Sequence, residues 1–320
     1  MTVAACCCLL LSLVFAPSLD TGYHHRKMSS TDGASITSSD NQSRSSWETS
    51  ERDEGIVHVD DGLQLFLSAH GPPRTNGQPA VVFISGAGVG SAWWSAVVRQ
   101  LAPVVRSYRY DRAGLGRSPP SATPRTAERM AQELLSLLAA ARIRPPYLLV
   151  AHSYGGIIAR ELLAASADAV MGMVLVDALQ ELSLHKLRPP FDEIAALSAA
   201  VNYAGATGLL REHKGTASDL TRVAEDQGSP SAADTTAAER ALFGESSHAL
   251  ASKRQFETHP LGLRPVTVIR GDNGWWTLPS MPCSLDVCTR MLTHRFYRAR
   301  RCPYSRSCSI CRCGDARAAR

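Results

Sequence analysis

Five residues, Ala151-His152-Ser153-Tyr154-Gly155, constrain the fold of this chain more than any other feature. They stand between an apolar run, Tyr147-Leu148-Leu149-Val150, and a helical pattern that starts at Tyr154 and continues through Ile157, Ile158, Leu162 and Leu163. A strand that passes straight into a helix needs a tight turn, and such a turn needs small residues two before and two after its centre. Ala151 and Gly155 meet that need. The turn lifts the Ser153 hydroxyl to the end of a strand, above a helix N-terminus whose partial positive charge favours a developing anion. A helix N-cap would account for the serine but not for the small residues on both sides of it.

The same strand-then-helix rhythm runs through the middle of the chain. Ile56–Val59 and Leu63–Leu67 read as a hairpin closed at Asp60-Asp61-Gly62. Ala80–Ser85 is a short all-apolar strand of the buried, parallel type. Trp94, Val97, Val98 and Leu101 then fall at helical spacing, Val105–Tyr110 is another strand, and Met130, Leu134, Leu137, Leu138 and Ala141 mark an amphipathic helix. Met171–Val176 and Pro265–Gly271 are further strands. Between them, from about Leu179 to Pro260, Ala-rich helical stretches around Ile194–Tyr203 and Ala232–Phe256 replace the strands. This alternation predicts an α/β fold: a mostly parallel central sheet with helices on both faces and an inserted helical cap.

Three motifs each follow a strand: Ser85-Gly86-Ala87-Gly88, Asp111-Arg112-Ala113-Gly114-Leu115-Gly116-Arg117-Ser118, and Ala151-His152-Ser153-Tyr154-Gly155. In this order and spacing, from roughly Val57 to Asp272, they resemble the α/β-hydrolase superfamily of esterases, lipases and peptidases. Ser85 stands where many members have His, and Ala151 where the usual residue is Gly. The resemblance implies Ser153 as nucleophile and the backbone N–H groups of Ala87 and Tyr154 as the oxyanion hole. Gly114 and Gly116 are read as residues that only permit a turn. The acid of the triad is Asp272, after the seventh strand, or Asp177, after the sixth. No metal and no organic cofactor is called for.

The base is where the chain departs from the family pattern. It should follow an eighth strand, in a Gly-His pair. The only histidine after Asp272 is His294, in Leu292-Thr293-His294-Arg295, with no strand-like run before it. His248 and His259 precede the seventh strand and break the order, and His152 should point away from the hydroxyl. Without an imidazole, serine is a poor nucleophile at neutral pH. Two readings therefore stand. One is a serine hydrolase of small-molecule esters or amides, its substrate selected by the Leu- and Ala-containing cap. The other is an inactive relative: a binding protein, or the product of an altered reading frame.

Composition divides the chain. The domain reading is an apolar stretch and a disordered Ser/Thr-rich segment over 1–54, a hydrolase core over 55–178 and 261–273 that lacks its C-terminal part, a cap over 179–260, and a Cys/Arg-rich tail over 274–320. The tail carries nine Arg, no Lys and two Asp, so the +5 of the whole chain leaves the rest at −2, and no nucleic-acid partner is expected of the body. All nine Cys lie in the tail or at positions 6–8. Cys308, Cys311 and Cys313 have zinc-like spacing but no well-spaced second pair, so no metal site is read there. Val3–Ala16 is short for a membrane span and lacks preceding basic residues. As a signal or anchor it would make the protein secreted or membrane-associated, whereas a start at Met28 would leave it cytoplasmic.

Overall fold

A computed structural model describes residues 44–59, 62–183 and 214–270 of the 320. Its centre is a seven-stranded sheet: β1 (Arg52–His58), β2 (Gln64–His70), β3 (Ala80–Ile84), β4 (Ser107–Tyr110), β5 (Tyr147–His152), β6 (Val170–Val176) and β7 (Val266–Ile269). The strand order is β1-β2-β4-β3-β5-β6-β7. β1 and β2 pair antiparallel, as do β2 and β4, and every pair from β4 to β7 is parallel.

The all-apolar strands are apolar because both faces of the sheet are covered. Along β3, Val82 and Ile84 join one buried cluster while Val81 and Phe83 join the other. Along β5, Leu149 and Ala151 alternate with Leu148 and Val150 in the same way. Helices α3 (Ala127–Ala140) and α4 (Gly155–Ala165) cover the first face through Met130, Leu134, Leu137, Ile157, Ile158 and Leu162. Helix α2 (Ser95–Leu101) covers the second through Val97, Val98 and Leu101, with Trp94 from a preceding 3-10 turn. Burying each such aliphatic side chain contributes roughly 1.5–3 kcal/mol.

Between β6 and β7 the described residues form α5 (Ala217–Gly228), α6 (Pro230–Ala241), α7 (Phe243–Ser252) and α8 (Gln255–Thr258). These helices are cut by local chemistry. Thr216 and Asp219 make a reciprocal capping box at the start of α5. Ser229 caps α6 and is followed by Pro230 at its first turn. The helical stretch expected around Ile194–Tyr203 lies outside the described residues.

Composition predicts that residues 1–54 are disordered and lack a packed core of their own; the described part, from residue 44, is ordered by packing on the rest of the fold. Helix α1 (Ser46–Thr49) and the start of β1 at Arg52 are built into the fold. Glu48 is buried, pairs with Arg74 at 2.6 Å and accepts from the Arg144 N–H at 3.1 Å. The Trp47 carbonyl accepts from Arg106 Nε (3.0 Å), Arg106 Nη2 (2.6 Å) and the Tyr108 hydroxyl (3.0 Å). A polar segment that cannot bury a core of its own is held here by partners 26 to 96 residues away. Local composition carries no sign of them.

Candidate active site

Ser153 sits between β5 and α4 with φ of +52°, an uncommon conformation for a residue with a side chain. Its backbone is held on both sides: its N–H donates to Val176 O (3.2 Å), and its carbonyl accepts from Gly156 N (3.0 Å) and Leu179 N (2.8 Å). The turn leaves no room nearby. A Cβ on Gly155 would lie 2.5 Å from Ile84 O, and one on Gly156 would lie 2.5 Å from Leu179 O. Ala151 is fully buried. These contacts are the physical reason for small residues on either side of the serine.

The loop after β3 lies beside it. A Cβ on Gly86 would be 3.1 Å from both Ser153 Cβ and His152 Nδ1. No hydrogen bond among the described residues uses the Ser153 hydroxyl, the Ala87 N–H or the Tyr154 N–H. Ser85 fastens the loop: its hydroxyl accepts from Trp94 Nε1 (3.1 Å) and donates to Gly90 O (3.3 Å). His152 packs at the turn, with its ring edge-on to Trp94 at 6.4 Å. Burial lowers its pKa, against the charge of Asp177, which raises it. Asp177 directly follows β6 with φ of +42° and donates its N–H to Ile269 O at 2.8 Å. Asp272 and His294 lie outside the described residues.

Several site-defining contacts come from residues that carry no motif. Tyr154 is buried, stacks on Phe243 of α7 at 4.3 Å and shares a hydrogen bond of 3.1 Å with the Ser246 hydroxyl. Burial pushes its phenol up to about 12. Arg112 donates to Ser85 O (2.8 Å) and Gly86 O (2.7 Å), and pairs with Glu239 of α6 through Nε (2.7 Å) and Nη2 (3.1 Å). Burial works against the guanidinium charge, but the field and hydrogen bonds of Glu239 outweigh it and hold the pKa above the ordinary value. Gly114 and Gly116 do more than permit a turn. Both have positive φ, and a side chain on Gly114 would collide with Thr235 of α6, one on Gly116 with Asp111. Arg112 lies within the second motif, so it was open to notice. Nothing local marked Glu239, Thr235 or Ser246.

Among the described residues there is no group of three or more His, Cys, Asp or Glu placed to hold a metal ion. No described helix is long and apolar enough to cross a membrane. A cavity of about 390 Å³ lined by Glu161, Lys253 and Gln255, and one of about 350 Å³ lined by Arg142, Arg144 and Tyr147, both lie away from Ser153.

A mostly parallel sheet covered on both faces, with a strained serine at the β5–α4 turn, defines a class of proteins. The chain belongs to the alpha/beta hydrolase family, which it matches from residue 81 to residue 306. It is 37% identical to a protein of Gibberella zeae named as an AB hydrolase superfamily protein, over 71% of this chain and 74% of that one. It is 31% identical to a protein of Hormonema carpetanum that carries a transporter name, efuK, over 71% of this chain but only 32% of that longer protein. In three dimensions it is similar to the Cif epoxide hydrolase from Acinetobacter nosocomialis, with a TM-score of 0.53 and 16% identity, over 70% of this chain and 74% of that one. At that identity the likeness is one of fold.

Proposed function

We propose that this chain is a hydrolase of small-molecule ester or amide bonds whose nucleophile is Ser153. The observation that carries the reading is the turn itself: a serine at φ of +52°, its backbone held by three hydrogen bonds and its hydroxyl unengaged among the described residues. The N–H groups of Tyr154, next to the serine, and of Ala87, next to the Gly86 whose added Cβ would touch Ser153, are the oxyanion donors, both unengaged among the described residues. Asp272, three residues past the end of β7, is the acid. Asp177 is the alternative, but its charge acts on His152, which fits a role in holding the turn. The helices between β6 and β7 serve as the cap over the acyl site.

His294 is the one histidine that satisfies the order of the triad, and the family match extends over it. Its neighbours lack the Gly-His setting of a base, so turnover is expected to be very low. The test is labelling of the full chain by a fluorophosphonate probe. Little labelling of Ser153 is expected. Strong labelling lost in both Ser153→Ala and His294→Ala would make His294 the base. Labelling that survives Ser153→Ala would end the serine reading. The second reading, an inactive relative or an altered-frame product, draws on the change in composition beyond Asn273, where Arg and Cys replace the strand and helix patterns.

A further inference from the structure

The loop after β3 is not free-standing. Its backbone is gripped at three points by one buried ion pair. Arg112 holds Ser85 O at 2.8 Å and Gly86 O at 2.7 Å. Glu239 Oε2 accepts the Gly88 N–H at 2.8 Å. The two side chains bind each other through both carboxylate oxygens, and Glu239 is 0% exposed. Within this grip the Ala87 N–H, like that of Gly86, is taken up by no described group. Helix α6 also meets the glycine loops by shape: side chains on Gly88 and Gly114 would collide with Thr236 and Thr235. An ion pair so completely desolvated is a poor source of stability compared with apolar packing. It does fix geometry, because every oxygen and nitrogen in it has a directed partner.

We propose that Arg112 and Glu239 are positioning residues, which hold the Ser85–Gly88 loop so that the Ala87 N–H stays beside Ser153. Helix α6 is on this view a part of the oxyanion site and not a separable cover. The inference rests on the reading of Ser153 and Ala87 given above.

The test avoids any need for a catalytic base. Ser153→Cys is made in the full chain, and the pKa of the new thiol is read from the pH dependence of its alkylation by iodoacetamide, resolved by peptide mass spectrometry. Amide donors and a helix N-terminus lower a thiol pKa from its ordinary value of about 8.5, here by roughly one unit. Adding Glu239→Asp keeps a charge for Arg112 but withdraws the carboxylate from Gly88. The thiol pKa should then rise by roughly half a unit or more, and hydrogen exchange of the peptide covering residues 86–89 should quicken. Glu239→Gln, which keeps the side-chain length, serves if the shorter acid does not fold. Glu48→Asp is the control: it shortens an equally buried partner at the far end of the strands and should leave the thiol unmoved. A folded Glu239 variant with unchanged thiol pKa overturns the proposal. An ordinary thiol pKa in Ser153→Cys alone sinks the oxyanion reading, and the proposal with it. In that case the exchange data show whether Glu239 merely fastens the loop.

Discussion

The two ends of the parallel strands are built from the same parts and put to different use. At the N-terminal end, before β3, β4 and β5, the Glu48–Arg74 pair closes at 2.6 Å, with Arg74 also donating to the carbonyls of Arg144 and Gln78. At the C-terminal end, after β3 and β4, the Arg112–Glu239 pair closes at 2.7 Å, with Arg112 donating to the carbonyls of Ser85 and Gly86. Each is a buried ion pair that reaches into backbone. The first ties the N-terminal segment down through Glu48, as Arg106 and Tyr108 do through the Trp47 carbonyl. The second surrounds amides that it leaves unengaged. In open parallel sheets, ligands meet the carboxyl ends of strands, where loops diverge and helix N-termini point outward. On the reading proposed above, the same chemistry serves stability at one end and a site at the other.

The largest effect that could break this comparison is loss of either acid. Glu48→Ala and Glu239→Ala each strand a buried guanidinium, and each should cost about 3–5 kcal/mol in denaturant unfolding. If the ends are distinct, only Glu239→Ala in the Ser153→Cys background also moves the thiol pKa. A shift from Glu48→Ala of similar size would show one coupled network and remove the distinction.

Gly155→Ala sharpens it from the serine side. The added Cβ would press on Ile84 O, so the turn or β3 must shift, and about 3 kcal/mol of stability should be lost. Gly55→Ala, where nothing lies within 4 Å, is the matched control and should change stability by well under 1 kcal/mol. Equal losses from the two would mean that the turn relaxes without strain.

The smallest effect concerns pH. Asp226 of α5 is buried and faces Asp111, whose oxygens accept from Ser91 N (2.6 Å) and Arg117 N (3.0 Å). Burial, and then the charge of Asp111, push the Asp226 carboxyl up to about 6, against the opposing charges of Arg222 and Arg117. The native state thus holds that proton more tightly than the unfolded chain, in which the group titrates near 3.8. The contribution of Asp226 is most favourable at low pH and is lost as pH rises from about 4 to about 6. Because the carboxyl keeps some contact with solvent, the loss should be about 1 kcal/mol. Asp226→Asn should flatten that part of a stability–pH curve. A profile identical to that of the parent protein would show that α5 does not seat its carboxyl against Asp111.

Much of the fold could be read from residue order. A buried parallel strand must be apolar on both faces, so Ala80–Ser85 and Met171–Val176 announce themselves, and a strand-to-helix turn around a serine demands the small residues seen at Ala151 and Gly155. These are local demands, met by residues within a few positions of each other, and the nucleophile candidate came with them. Other features needed the chain to be folded. Glu48 and Trp47 lie in a segment whose composition speaks for disorder, and their partners come from the loops before β3 and β5 and from the start of β4. Glu239 is one of two acids in an Ala-rich helix, and it reaches Gly88 across 151 residues. Thr235 meets Gly114 only because α6 settles on that loop. A hydrogen bond or ion pair depends on distance and direction in space, and periodicity along the chain records neither. Order and spacing therefore carried the sheet, its helices and Ser153, while the grip on the loop beside that serine was decided by tertiary packing.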